Sequence, residues 1–464
     1  MAAVRTEMDL ESQVKSLMAQ AAGDAEGRGA GGQLPRHLRE YVDGQRDRSA
    51  LDPINIRQLI VPGAGNRRIF RILLTNACQY SCDYCPMRAQ RSLPRHALEP
   101  EKLARLFMTA FRKGWCDGLF VTSGIPRSPV WAMDRILELV EILRVKMGYR
   151  GYLHVKALAG AEPGQVERLV RLVDRVSYNL ESACADTLAT HAPEKTLEAG
   201  LAALRTVKKA VEAAEAAERG NASRAGSSGT STSRSTQSGT SMGRARKPSP
   251  ARPGTASSAT MPARSVLRAG ATTQFVVGLG KETDRDLLTF TDRLLKEKLI
   301  HHPQFSAFRP IRETPMAGRA ETPALREHRL YQADHLVRDY GFKTEELPFG
   351  ADGSLPLDTD PKLQWALIHP ELFPVELRTA SREELRRVPG FGPVSVERFL
   401  AARSRVSGID LPTLKKLGVV VSRAAGFITW CGRTLGNRFR QAALFDSVNA
   451  FPQKTYEFSP GTFR

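Results

Sequence analysis

No uninterrupted apolar run in the chain is long enough to span a bilayer, and the opening residues MAAVRTEMDLESQ contain no apolar core of a secretory signal. The expectation is a cytoplasmic protein with no membrane partner. Cysteine is scarce, six in 464 residues with three of them inside one loop. That excludes a disulfide framework and suits a reducing compartment. Acidic residues are in deficit, 49 Asp and Glu against 68 Lys and Arg, for a net charge of +19. The excess is local: Arg219 to Arg264 holds eight basic and no acidic residues, and Glu376 to Arg464 holds fifteen basic against seven acidic. A polyanionic partner accounts for such clusters through counterion release, whereas an Arg- and Ala-rich GC-biased genome accounts for them without one. Length and a hydrophobic content of 41% allow two to three domains with a sizeable core.

What the chain does contain is Cys78-Gln79-Tyr80-Ser81-Cys82-Asp83-Tyr84-Cys85, a C-x3-C-x2-C loop. Three thiolates stop one ligand short of a closed metal site, which leaves a corner open for a small molecule. The alternative is a structural zinc knuckle that borrows Cys116, Cys184 or Cys431 as its fourth ligand. Arg68 to Leu74 reads as a basic-apolar strand, followed by Thr75-Asn76-Ala77 and then the loop. This spacing, with an aromatic immediately before the third cysteine and a strand before the first, resembles the cluster loop of the radical S-adenosylmethionine (SAM) superfamily. The resemblance implies that Cys78, Cys82 and Cys85 hold a 4Fe-4S cluster, with the amine and carboxylate of SAM on the fourth iron. One electron then cleaves SAM to methionine and a 5'-deoxyadenosyl radical that abstracts hydrogen from an unreactive carbon. It also implies an electron donor such as flavodoxin or ferredoxin.

Residues 1–50 read as a leader with a short helical pattern from Leu10 to Met18. From 51 onward strands and helices alternate: Gly118 to Gly124 as a strand, Trp131 to Met147 as a helix, Gly151 to Gly160 as a strand, Glu162 to Val173 as a helix, and Arg175 to Ser182 as a strand. Residues 214–266 are Ser/Gly/Thr/Arg-rich with scarcely any large apolar side chain, so they predict a disordered insertion. The alternation resumes with Thr272 to Gly280, Asp284 to Lys298, Gln304 to Ile311 and Pro323 to Tyr340. The insertion therefore interrupts one domain, 51–375, and does not separate two. The order predicts an α/β fold with a parallel sheet or barrel, and the resemblance narrows this to a partial (β/α)6 barrel. Residues 376–430 form a small all-α domain in this reading, and 431–464 a tail.

Several residues stand where the superfamily binds SAM. Ser123 and Gly124 follow a strand in place of the usual Gly-Gly-Glu near the SAM amine, although a tight turn explains Gly124 equally well. In Ser177-Tyr178-Asn179-Leu180-Glu181, period-two alternation puts Ser177, Asn179 and Glu181 on one face. The resemblance assigns Asn179 and Glu181 to the ribose hydroxyls; a solvent-facing edge is the other reading. Gly278 and Gly280 open a helix where the superfamily contacts adenine. His154 and Lys156 share a face with Tyr152, as cavity-lining groups or as satisfied polar residues at a rim. Cys116, Cys184 and Cys431 default to inert thiols.

Near the C-terminus, Arg382 to Val388, Pro389-Gly390-Phe391-Gly392 and Pro393 to Arg403 read helix, tight turn, helix, with Pro393 at the favoured first helical position. This pattern matches the helix-hairpin-helix of DNA repair proteins, with Leu385, Val388, Phe391, Val396 and Phe399 as its apolar positions. Such glycines let backbone amides reach a phosphate without reading bases, so Gly390, Phe391, Gly392 and Arg398 are the expected DNA contacts. A second, degenerate hairpin follows in Leu414 to Gly418 and Ser422 to Ile428. The strings LLTNAC, YCPMR, SYNLE, APEK, QFVVG, FSAFRPI and DPKLQWAL together resemble the family of putative DNA modification or repair radical SAM proteins. That family implies radical chemistry on DNA and a uracil-DNA-glycosylase-like partner. An RNA-modifying enzyme and a non-catalytic iron-sulfur DNA-binding or redox-sensing protein are the alternatives.

Overall fold

The computed structural model describes residues 10–21, 61–62, 68–226, 266–405 and 408–435. Seven strands form the main sheet: β1 (Val61–Pro62), β2 (Arg68–Leu73), β3 (Gly118–Thr122), β4 (Tyr152–Lys156), β5 (Arg175–Ser177), β6 (Ala271–Val277) and β7 (His302–Ala307). Their order in the sheet is their order in the chain. β1 lies antiparallel on β2, and β2 to β7 are parallel throughout. Six parallel strands wound in one direction with helical crossovers make an α/β half-barrel, the partial (β/α)6 barrel expected.

The crossover helices are set by their starts. Pro100–Arg112, Pro129–Glu141 and Pro163–Leu172 each begin on a proline, whose missing N–H costs nothing in the first turn. Thr283 and Asp286 cap Asp284–Lys296 reciprocally. Along β3, Leu119 and Val121 bury into the apolar core, while Phe120 stands in register with Arg71 and His154 on the other face. His154 Nε2 lies 2.9 Å from Ser177 Oγ. The helix Leu10–Ala21 packs on β2 and buries Val14, Leu17 and Met18.

Two boundaries differ from the expectation. The helix Leu197–Gly226 runs through position 214, because Leu201, Leu204, Val207, Ala210 and Ala214 repeat at helical spacing and are buried. Residues 227–265, the rest of the expected insertion, lie outside the described residues. The strand expected to reach Ser182 ends at Ser177. Glu181 then rejoins the sheet as a single bridge to Phe275 with a left-handed backbone, φ 66°. That twist breaks the period-two face expected to carry Ser177, Asn179 and Glu181 together.

The C-terminal part is not all-α. A three-stranded sheet of β8 (Val375–Glu376), β9 (Ile428–Trp430) and β10 (Arg433–Thr434) closes around the helices Arg382–Arg387, Pro393–Arg403, Leu411–Lys416 and Val421–Ala424. The Glu376 carboxylate accepts the N–H groups of Cys431 and Gly432, which draws Cys431 to Leu435 out of the expected tail. Residues 436–464 lie outside the described residues. Among the described residues no helix is long and apolar enough to cross a membrane.

One buried carboxylate ties the lower end of the half-barrel together. Asp174, 2% exposed, accepts from Arg144 Nη2 at 3.0 Å and from the Leu153 N–H at 2.8 Å through Oδ2, and from Arg268 through Oδ1. Asp174→Ala leaves two arginines without their shared anion. The expected loss is about 3–5 kcal/mol of unfolding free energy, measured by denaturant titration.

Candidate active site

The strand ends build the site. Thr122, Lys156, Val276 and Ser306, at or next to the carboxyl ends of β3, β4, β6 and β7, line a cavity of about 430 Å³. Cys78, Cys82 and Cys85 line the same cavity, together with Ser123, Gly124, Asn179 and Glu181. Active sites of barrels lie at this end because the loops there can vary without disturbing the sheet.

The cluster loop is fastened on several sides. Thr75 Oγ1 donates to the His96 carbonyl at 2.7 Å, and the fully buried Asn76 donates to the Pro94 carbonyl at 2.9 Å and accepts the His96 N–H at 2.6 Å. Arg95 spreads its guanidinium over the carbonyls of Asn76, Met87, Arg88 and Arg91. Gly124 has a steric role, since a Cβ there would lie 2.2 Å from the Ala77 carbonyl oxygen. The Ser123 hydroxyl turns back to the Gly124 carbonyl at 2.8 Å.

The donor set fits an iron-sulfur cluster with an open corner. Three thiols meet in one cavity, and the Met87 N–H points at Cys85 Sγ at 3.4 Å, as backbone amides do toward ligating sulfur. Among the described residues no three His, Cys, Asp or Glu side chains, these cysteines included, converge on a single metal-ion position. Cys116 is buried next to β3 at its start, Cys184 stands just before the helix Ala185–His191, and Cys431 is exposed beside Arg378. None of the three lines the cavity. Burial pushes the Cys85 thiol up to about 12 and raises that of Cys82. Loading iron therefore releases protons and is favoured as pH rises. The Tyr84 hydroxyl is buried with no protein partner among the described residues, and Tyr84 lines the cavity.

On the opposite wall, Asn179 Nδ2 donates to Gln274 Oε1 at 3.1 Å and reaches Glu181 Oε1 at 3.4 Å. Lys195 Nζ donates to Glu181 Oε1 at 2.6 Å. Burial opposes the charge on both groups. Lys195 and Lys156 nonetheless hold the Glu181 carboxyl below its usual range, and Glu181, Tyr84 and Cys82 raise the Lys195 ammonium well above its own. Lys195, Gln274 and Gln20 escaped the sequence reading. The APEK string marks Lys195, and the two-residue period of Thr272, Gln274 and Val276 marks Gln274. Nothing in the sequence marks Gln20, which reaches the cavity from the helix Leu10–Ala21. Lys156 lines the cavity, whereas His154 is spent on Ser177 beneath it.

Gly278 and Gly280 do not line the cavity. A Cβ on Gly278 would lie 2.2 Å from Thr322 Oγ1, and one on Gly280 would lie 2.1 Å from Thr187 Oγ1. These glycines allow close packing of Thr322 and Thr187 against the loop after β6. The four expected DNA contacts lie in the C-terminal module, away from the cavity lining. Phe391 is 1% exposed and packs edge-on to Phe399 at 5.9 Å, so it is core and not contact. The Gly392 N–H is occupied by Ser395 Oγ at 2.7 Å. Gly390, φ 85°, accepts the Val420 N–H at 2.9 Å, and a Cβ there would strike the Val420 carbonyl oxygen at 2.4 Å. Arg398 is exposed beside the turn at Gly418.

Residues 72–214 match the model of the Radical SAM superfamily. The half-barrel carries a radical SAM domain. The cofactors of that superfamily are a 4Fe-4S cluster and SAM. Similar solved structures include HydG, a maturase of the FeFe-hydrogenase, at 13% identity and a TM-score of 0.38 over 71% of this chain and 62% of that one. HydG from Carboxydothermus hydrogenoformans is 14% identical with a TM-score of 0.39 over 69% and 58%. Methylornithine synthase (PylB) is 11% identical with a TM-score of 0.37 over 68% and 75%. The chain spans about three fifths of the length of the two HydG structures. No curated protein matches it.

When bound, the reduced cluster supplies the electron that cleaves SAM. Cys78, Cys82 and Cys85 would hold the iron, and Ser123, Asn179, Glu181 and Lys195 line the same cavity around the space a cofactor would take. Anaerobically isolated protein is expected to be brown, with about four irons and a reduced-cluster paramagnetic signal that SAM perturbs. Cys82→Ala should abolish that signal, as read by iron assay and electron paramagnetic resonance.

Proposed function

We propose that this radical SAM enzyme modifies or repairs DNA, held at the C-terminal module while a base or sugar carbon enters the cavity. The observation that carries the reading is the pairing of two helical hairpins. The turn between Arg382–Arg387 and Pro393–Arg403 is joined to the turn between Leu411–Lys416 and Val421–Ala424 by the Val420-to-Gly390 hydrogen bond. Arg398, Lys415 and Lys416 are exposed around these turns. Cations beside paired hairpin turns suit a phosphate backbone, since they neutralise charge without reading base identity. The buried Phe391 and the internally bonded Gly392 N–H move the expected contact from the first turn's amides to these cations.

The family resemblance adds a uracil-DNA-glycosylase-like partner and an electron donor of the flavodoxin or ferredoxin type to this reading. Gly390 is a poor probe of binding, because replacing it breaks the joint between the hairpins. The informative variant is Arg398→Ala with Lys415→Ala and Lys416→Ala. It should weaken binding to DNA of any sequence and reduce the slope of log affinity against log salt by about 1 for each phosphate no longer neutralised. SAM cleavage by the wild type should rise when DNA is added, and the variant should lose that rise. Stimulation by RNA alone would favour an RNA substrate. DNA binding with no cleavage of SAM would favour a sensor, and no DNA binding at low salt would end the proposal.

A further inference from the structure

Ala192-Pro193-Glu194-Lys195 leaves the end of the helix Ala185–His191 and passes between the cluster loop and Glu181. Each end of the segment holds a different part of the cofactor site. Ala192, fully buried, packs with Leu188 against Cys82. Glu194 Oε1 accepts both the backbone N–H and the hydroxyl of Ser81, each at 2.7 Å, and Ser81 lies between Cys78 and Cys82. Lys195 reaches the other way, to Glu181 Oε1 at 2.6 Å.

Lys195 and Asn179 both use Oε1. Oε2 of Glu181 is left out of both bonds and belongs to a side chain that lines the cavity. The backbone beneath it is equally fixed. The Glu181 N–H donates to the Gln274 carbonyl at 2.9 Å, and the Glu181 carbonyl accepts from the Val276 N–H at 2.7 Å. A charge-assisted bond to one oxygen stops rotation of the carboxylate and leaves the other oxygen as a fixed acceptor.

We propose that Ala192–Lys195 is a brace across the cofactor site. Lys195 is a positioning residue that aims Glu181 Oε2 at a hydroxyl donor of SAM, and Glu194 is a positioning residue that fixes the span from Cys78 to Cys82. The proposal rests on Glu181 meeting SAM, so the experiment probes that assignment separately.

SAM affinity is measured by anaerobic calorimetry on cluster-loaded protein for Glu181→Gln, Lys195→Met and the double variant. Glu181→Gln and Lys195→Met are each expected to weaken SAM about tenfold, with iron content unchanged. The double variant should be no weaker than Glu181→Gln, because residues acting through one another are not additive. It also lacks the buried unpaired carboxylate that threatens folding in Lys195→Met alone. Glu194→Ala should release iron to a chelator several-fold faster while each loaded cluster binds SAM as before. Wild-type affinity in Lys195→Met, or effects that multiply in the double variant, would overturn the brace. Wild-type affinity in Glu181→Gln would overturn the assignment of Glu181 to SAM, and the brace with it.

Discussion

At Gly124 the chain leaving β3 comes so close to the cluster loop that no side chain fits between them, a Cβ meeting the Ala77 carbonyl oxygen at 2.2 Å. Two backbone hydrogen bonds cross this contact, Gly124 N–H to the Thr75 carbonyl at 2.7 Å and Gln79 N–H to the Ile125 carbonyl at 2.9 Å. Through them the three cysteines are referenced to the central sheet and not to a free surface loop. The bracing of Asn76 and Arg95 behind the loop follows from the same need. A loop offering three thiols to one body has to keep its shape before the body arrives, since ordering it afterwards would cost conformational entropy.

The other wall of the cavity is electrostatic. Lys195 and Glu181 are gathered beside Lys156 where burial alone would disfavour the charges of both. They persist because each is compensated by the others. Such a wall is preorganised, so its dipoles do not have to be reoriented when a charged cofactor enters. The DPKLQWAL helix, Pro361–Ile368, packs on the helix Ala324–His335 and leads into the C-terminal module. The Asp360 carboxylate pairs with Arg423 of the second hairpin, Lys362 Nζ donates to the Phe391 carbonyl at 2.5 Å, and Trp365 stacks on Arg387 of the first. One short helix thus reaches both hairpins.

Much of this was legible in the sequence where a single physical signal dominated. Alternating β and α patterns gave the six parallel strands, and the C-x3-C-x2-C spacing gave the three thiols. The reading went astray where tertiary contacts overrode local pattern. Period two failed at Glu181 because a left-handed residue turns the strand end inward. Phe391 sits in a turn that ought to be wet, but its ring completes the small core between the hairpins. Lys195 is distant from its partner in sequence, and no periodicity connects the two.

The central claim is that Cys78, Cys82 and Cys85 hold a 4Fe-4S cluster with one iron left to SAM. Mössbauer spectroscopy of anaerobic protein reconstituted with iron-57 tests it most directly. The account predicts that adding SAM shifts the signal of one iron of the cluster and leaves the others as they were. Irons that stay equivalent and indifferent to SAM, or a colourless protein holding zinc on the same cysteines, would contradict it.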